Sequence, residues 1–158
     1  LEPKILKYAS TCDEIWHAGD IGTLQLADKL AQIKPIRAVY GNIDGAEIRQ
    51  CFPLDLKFEI EGVKVIMTHI AGYPGKFSSR ALSLIKEYQP NLFICGHSHI
   101  LKVMPDKQNK LLFMNPGACG NHGFHQVKTI LRFTLENSKV LNLEAIELGK
   151  RNELTTQE

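Results

Sequence analysis

Four short apolar segments of this chain run directly into clusters of glycine and polar residues. Residues 14–18 lead into Gly19-Asp20, residues 36–40 into Gly41-Asn42-Ile43-Asp44, residues 63–68 into His69, and residues 92–95 into Gly96-His97-Ser98-His99. Such runs, bounded by turn residues, read as buried strands. Helical patterns separate some of them. Thr23 caps a predicted helix in which Leu26, Ala27, Leu30 and Ala31 share a face, and Pro35 ends it. Ser78 or Ser79 caps another, with Leu82, Ile85 and Tyr88 along one side. Strands that alternate with helices pack as an α/β sheet, and such sheets bind ligands beyond the carboxyl ends of their strands. All four polar clusters are therefore expected on one rim.

The remaining pattern completes a fold class. Residues 4–10 read as the end of a short helix, and residues 58–60 and 63–68 as a hairpin around Glu61-Gly62. After residue 99 the pattern is β only, with strands at 100–104, 111–114, 129–135 and 140–146 and polar turns at 106–110 and near 136–138. The expected architecture is α/β, two sheets packed as a sandwich between helices, in one domain over residues 1–147 with a polar tail at 148–158. A length of 158 residues suits one core and not two.

Charge and cysteine usage narrow the partners. With 19 Lys and Arg against 17 Asp and Glu, the net charge of +2 makes no electrostatic case for nucleic acid or an anionic membrane. No apolar run approaches the roughly 20 residues of a membrane span, and no secretory leader pattern is present. The four cysteines are scattered without a CxxC pair, which favours reduced thiols and a cytoplasmic setting. A homo-oligomer is compatible with the sequence.

The rim residues Asp20, Asn42, His69, His97 and His99 offer carboxylate, amide oxygen and imidazole. That mixed oxygen and nitrogen set suits borderline divalent metals such as Mn, Fe, Zn, Co or Ni, and its lack of thiolate argues against a structural zinc site. A carboxylate such as Asp20 can bridge two ions held roughly 3.5–4 Å apart, a geometry suited to in-line displacement at phosphorus. Asn42 can ligate through its carbonyl and donate its amide N–H to a phosphate oxygen, which makes it a candidate catalytic residue as well. His97 and His99 would share a face on an extended backbone, or splay toward two ions in a turn; the spacing leaves both open.

Gly19-Asp20, Gly41-Asn42-Ile43-Asp44, Thr68-His69 and Gly96-His97-Ser98-His99 resemble the successive motifs of the calcineurin-like metallophosphoesterases. Asn115-Pro116-Gly117-Ala118 resembles the NPGS turn of their small prokaryotic phosphodiesterase branch, the YfcE-like proteins. The resemblance implies a two-sheet sandwich flanked by helices and metal-dependent phosphoesterase chemistry on a small phosphate-ester substrate, phosphodiester hydrolysis first. It implies that Asp20 bridges, that Asn42, His69 and His97 bind one metal, and that His99 binds the other. Manganese is the expected metal, with nickel, zinc, iron and cobalt as alternatives.

The chain departs from the family pattern in three places. The family opens with an Asp-x-His motif at the end of a first strand, and this chain begins at Leu1 after the place for it. The fold is thus expected to lack that strand, with two ions in a longer native form and at most one tightly held here. Ile43 stands where many members carry a proton-donating His, and Ile70 where a Gly often follows the metal-binding His. The alternative expectation is a catalytically impaired protein of this fold that serves as a binding or scaffold module, as a eukaryotic retromer subunit does. Among neighbouring residues, His17 and Asp44 are expected to support the ligands from behind. His122 and His125, after the Asn115-Pro116-Gly117 turn, either face the pocket or, as the first expectation, sit on a loop surface; Lys76 either meets a substrate phosphate or, as the first expectation, water; Trp16 and Phe113 are expected as core, and Cys95 and Cys119 as buried thiols.

Overall fold

The computed structural model describes residues 1–152. Its first half contains α1 (Pro3–Ala9), β1 (Ile15–His17), α2 (Leu24–Ile33), β2 (Ile36–Ala38), α3 (Ala46–Cys51), β3 (Asp55–Ile60) and β4 (Val63–Thr68). The second half contains α4 (Ser79–Tyr88), β5 (Leu92–Ile94), β6 (Leu101–Asp106), β7 (Leu111–Pro116), β8 (Val127–Glu136) and β9 (Lys139–Lys150). Thr23 caps α2 by accepting the Leu26 N–H, and Ser78 caps α4 by accepting the Ala81 N–H, each at 3.2 Å.

The central sheet has five strands in the order β3-β4-β5-β7-β6. Its middle pairs, β4 with β5 and β5 with β7, are parallel, and its outer pairs are antiparallel. The parallel strands are apolar on both sides, as a sheet covered on both faces requires. Ile66, Phe93 and Phe113 face one way and pack with Ala81 and Ile85 of α4. Val65, Met67, Leu92, Ile94 and Met114 face the other way, against Trp16, Val39, Leu131 and Phe133. Trp16 meets Phe58 and Phe133 edge-on, with ring centroids 5.0 and 5.5 Å apart, and is half-buried at the margin of the core, whereas Phe113 is fully inside it.

The second layer differs from a single second sheet. It consists of two separate ladders, parallel β1–β2 and antiparallel β8–β9. A groove of about 850 Å³ runs between Glu14, Trp16 and Ala18 of the β1 segment and residues 131–135 of β8, with Ile94 and Met114 also lining it. Five consecutive residues of β8 line it, although one face of a strand presents only alternate residues. The groove therefore follows the strand's edge.

Local expectations are corrected at four places. α3 carries only one buried residue, Ile48, too weak a signal to read as a helix beforehand. In α4 Leu82 is exposed, and the buried residues are Ala81 and Ile85, which pack with Ile66, Phe93 and Phe113 of the sheet. In α2 the buried pair is Ala27 and Leu30, and Ala31 is exposed. β9 runs through Lys150 with Leu148 buried, whereas a tail was expected from residue 148; residues 153–158 of that tail lie outside the described residues. No helix among the described residues is long and apolar enough to cross a membrane.

Candidate functional site

The loops after β1, β2, β4 and β5 meet at one end of the molecule, as the rim argument predicts, and His69 is their centre. Its ring is buried, and Nδ1 lies 2.7 Å from the Ala18 carbonyl oxygen. A carbonyl can only accept, so Nδ1 carries the hydrogen and Nε2 of the neutral ring presents a lone pair. Nε2 lies 3.0 Å from Asn42 Oδ1 and 3.2 Å from Asp20 Oδ2. His97 Nδ1 lies 3.0 Å from the same Asn42 oxygen, and the His97 ring meets His69 edge-on at 5.3 Å. Four of the five expected ligands thus converge, with Asn42 Oδ1 shared between two imidazoles.

Among the described residues, no three His, Cys, Asp or Glu side chains alone form a group that could hold an ion. Asn42 falls outside those types and supplies the common atom. Three acceptors, His69 Nε2, Asn42 Oδ1 and Asp20 Oδ2, bring lone pairs together within hydrogen-bond range. A shared cation relieves that arrangement, and borderline divalent metals match its donors. On this test the residues fit a metal ion.

The backbone that carries these groups is unusual. Asp20, His97 and His99 hold φ of 59, 66 and 57°, in the left-handed region that L residues seldom adopt. Asp20 Oδ1 accepts the Ile43 N–H at 3.2 Å, which links the first two loops. Gly41 permits that approach: a Cβ there would overlap Asp20 Oδ1 and the Asp20 backbone nitrogen. Gly41→Ala is expected to cost about 1–3 kcal/mol and to weaken Mn²⁺ binding at least as much as it weakens folding. Thermal denaturation with and without Mn²⁺ checks this, and unchanged melting and unchanged metal affinity together would refute it.

Asp44 is the hub of the supporting shell. Its carboxylate accepts backbone N–H groups from Gly41 at 2.7 Å, Gly22 at 2.8 Å and Ile21 at 3.1 Å. Burial alone would raise its pKa. The N–H groups of Gly22, Gly41 and Ile21 and the nearby His17 outweigh that and hold it below the usual carboxylate value.

Two further side chains support the loops of the site. Arg49 of α3 donates to the Asp44 carbonyl at 2.6 Å and the Asn42 carbonyl at 3.3 Å, and stacks 4.7 Å over Tyr40. Asn115 donates to the Gly96 carbonyl at 2.9 Å and Ser98 Oγ at 3.0 Å while accepting the Gly117 N–H at 3.0 Å, which pins the loop of His97 and His99. The Asn115 turn is legible as a motif without these bonds, whereas Arg49, reaching carbonyls five and seven residues back, has no motif of its own.

His17 does not act as expected at one of its nitrogens. Nδ1 is buried without a hydrogen-bond partner among the described residues, and burial lowers the ring's pKa. His99 is not joined to the other ligands by a hydrogen bond; its ring packs edge-on against His125 at 5.1 Å. Burial and then His125 lower the His99 pKa, with Asp20 opposing. His125 is half-buried, contrary to a surface reading, whereas His122 is exposed. Lys76 stands 6.0 Å over Tyr73. Burial pushes the Cys95 thiol up to about 12 and raises that of Cys119, so neither is poised as a nucleophile.

A family model for the calcineurin-like phosphoesterase superfamily domain matches residues 1–138. This chain belongs to the calcineurin-like phosphoesterase superfamily. Among curated relatives, a probable metallophosphoesterase of Methanothermobacter thermautotrophicus is 27% identical over 139 residues, 85% of this chain and 71% of the relative. A probable metallophosphoesterase of Methanocaldococcus jannaschii is also 27% identical, over 144 residues, 87% of this chain and 69% of the relative. Among solved structures, an archaeal phosphodiesterase superposes with a TM-score of 0.71 at 22% identity, covering 92% of this chain and 90% of that one. Vps29 of Entamoeba histolytica in complex with Zn²⁺ gives 0.72 at 15% identity, covering 96% and 91%. At those identities the structural likeness shows the fold, which is the mixed sheet flanked by helices described above.

Proposed function

We propose that this calcineurin-like phosphoesterase is metal-dependent and hydrolyses phosphodiesters at a site centred on Asn42. The observation that carries this reading is one cluster, in which His69 Nε2 lies 3.0 Å from Asn42 Oδ1 and 3.2 Å from Asp20 Oδ2 while His97 Nδ1 lies 3.0 Å from the same Asn42 oxygen. In this reading Asp20, Asn42, His69 and His97 hold one ion, and Asp20 and His99 face a second; manganese is the metal of first choice. Bound ions there supply Lewis acidity, drawing charge from phosphoryl oxygens and making water a better nucleophile at neutral pH. Asn42 also carries two amide N–H groups, which suit a non-bridging phosphoryl oxygen. The Ala18 carbonyl holds the His69 tautomer that leaves Nε2 free as a donor to the ion.

The leaving group is limited by what stands beside the ligands. Ile43, 65% exposed next to Asn42, offers no proton to a departing alkoxide. Ile70 and Ile100, each following a proposed ligand, are exposed as well. An apolar, good leaving group such as an aryl oxide suits this rim, since it needs no acid and meets hydrocarbon.

The test is hydrolysis of bis(p-nitrophenyl) phosphate by the metal-stripped protein before and after Mn²⁺ is restored. A rate that appears with Mn²⁺ and vanishes with chelator supports the proposal. No metal-dependent rate above that of an Asn42→Ala, His97→Ala double variant would sink it and leave the binding-module reading.

A further inference from the structure

Three arginines of this chain place an edge of the guanidinium on a carboxylate. Arg37 meets Glu14 at 2.7 Å, Arg80 meets Asp55 at 2.6 Å and Arg132 meets Glu144 at 2.6 Å. Arg49 differs. It is exposed, and among the described residues no carboxylate pairs with it. Asp44 does not neutralise it, because that carboxylate is turned to the N–H groups of Ile21, Gly22 and Gly41. Glu47, one turn of helix away in α3, forms no ion pair with it either.

The charge is nevertheless fixed in place. Nε donates to the Asp44 carbonyl at 2.6 Å and Nη2 to the Asn42 carbonyl at 3.3 Å, while the guanidinium lies 4.7 Å over the Tyr40 ring. Nε and Nη2 form one edge of the planar group, so backbone occupies that edge. The adjoining edge, made by Nη1 and the second hydrogen of Nη2, has no hydrogen-bond partner among the described residues. Such an edge matches a carboxylate or phosphate with two parallel N–H bonds. Because ring and carbonyls already hold the plane, receiving an anion there orders little more of the chain.

The position says which part of a substrate would meet it. The two carbonyls that Arg49 grips belong to Asn42 and Asp44, the residues on either side of Ile43. Ile43 is 65% exposed and stands where the leaving group is placed above. We propose that the free edge of Arg49 binds an anionic group, carboxylate or phosphate, carried by the leaving group of the phosphodiester. This rests on the reading that hydrolysis takes place at the Asn42 site. The substrate class is then a phosphodiester whose departing alcohol is itself an anion, with Ile43 against the hydrocarbon between its two charges. That second anion is unchanged by the reaction, so Arg49 contributes to KM more than to kcat and is a specificity residue.

The probes are methyl p-nitrophenyl phosphate and its ring-carboxylated derivative as substrates of the Mn²⁺-loaded protein, with phenyl phosphate and carboxyphenyl phosphate as calorimetric ligands. The parent protein is expected to favour the carboxylated member of each pair by about fivefold, in KM for the diesters and in Kd for the monoesters. Arg49→Gln abolishes both preferences, and Arg49→Lys, which keeps the charge without the fork, retains part of each. Any loosening of the Asn42 loop in these variants weakens both members of a pair alike and leaves their ratio unchanged. No preference in the parent protein, a comparison that needs no variant to fold, overturns the proposal and leaves the function reading standing. A preference that survives in Arg49→Gln does the same. No metal-dependent hydrolysis of either diester overturns the function reading and this proposal with it.

Discussion

Asn42→Ala is expected to lower metal-dependent phosphodiester hydrolysis by about 10²–10³-fold while shifting unfolding free energy by no more than about 0.5 kcal/mol. The separation of the two effects follows from where the side chain stands. Asn42 is exposed at its loop tip, and its side-chain contacts are with His69 and His97. Truncation therefore opens no core cavity, but it removes the one oxygen that both imidazoles share. Asn42→Asp separates the two proposed roles: it keeps an oxygen for the ion and loses the amide N–H offered to the phosphoryl group. Alanine should depress both metal affinity and kcat, whereas aspartate should retain metal and depress kcat. Steady-state kinetics with Mn²⁺ titration distinguishes them. Wild-type kcat/KM in Asn42→Ala would remove Asn42 from the site.

Asp44→Ala is expected to have the opposite profile, a large stability loss that carries activity with it. Asp44 is buried, and its carboxylate accepts three backbone N–H groups from the two loops that present Asp20 and Asn42. Without it those donors lose their partners, at about 1–3 kcal/mol for each one left unsatisfied. A total near 3 kcal/mol corresponds to a fall in Tm of about 6–12 °C for a chain of this size. The same contacts predict a pH dependence. Because the folded pKa of Asp44 lies below its unfolded value, its stabilisation is fully present above the unfolded value of about 3.9. It is lost as pH falls through the folded pKa. Asp44→Asn does not titrate, so its stability curve should lack that acid-side decline relative to the parent. Equal slopes between about pH 5 and pH 2 in the two proteins would show that Asp44 is not the group responsible.

The parts of this molecule that were legible in its sequence are those whose cause is local. An apolar run ending in a polar cluster announces a buried strand and the loop beyond it, which is why β1, β2, β4 and β5 and the residues at their ends were found. Thr23 and Ser78 were readable as caps because the cap and the amide it binds lie three residues apart. What escaped depends on which atoms a side chain reaches once the loops are packed. His125 meets His99 across 26 residues, Arg49 reaches back five and seven residues to the carbonyls of Asp44 and Asn42, and the Asn115 turn was readable as a motif without its bonds to Gly96 and Ser98. The division of the second layer into two ladders was illegible for a related reason. A strand's composition says that it is buried, but not which edge is paired.

The left-handed backbone at Asp20, His97 and His99 has a consequence for anyone improving this protein. A non-glycine residue held there carries about 1–2 kcal/mol of strain, which glycine would largely relieve. Selection for heat resistance alone should therefore enrich glycine at positions 20, 97 and 99, and each such replacement deletes a proposed donor to the ion. Thermostable variants obtained that way would be well-folded and inert. A screen that retains a metal-binding readout at every round should instead gather its gains elsewhere, and the avoidance of those three positions would mark where this chain holds function against stability.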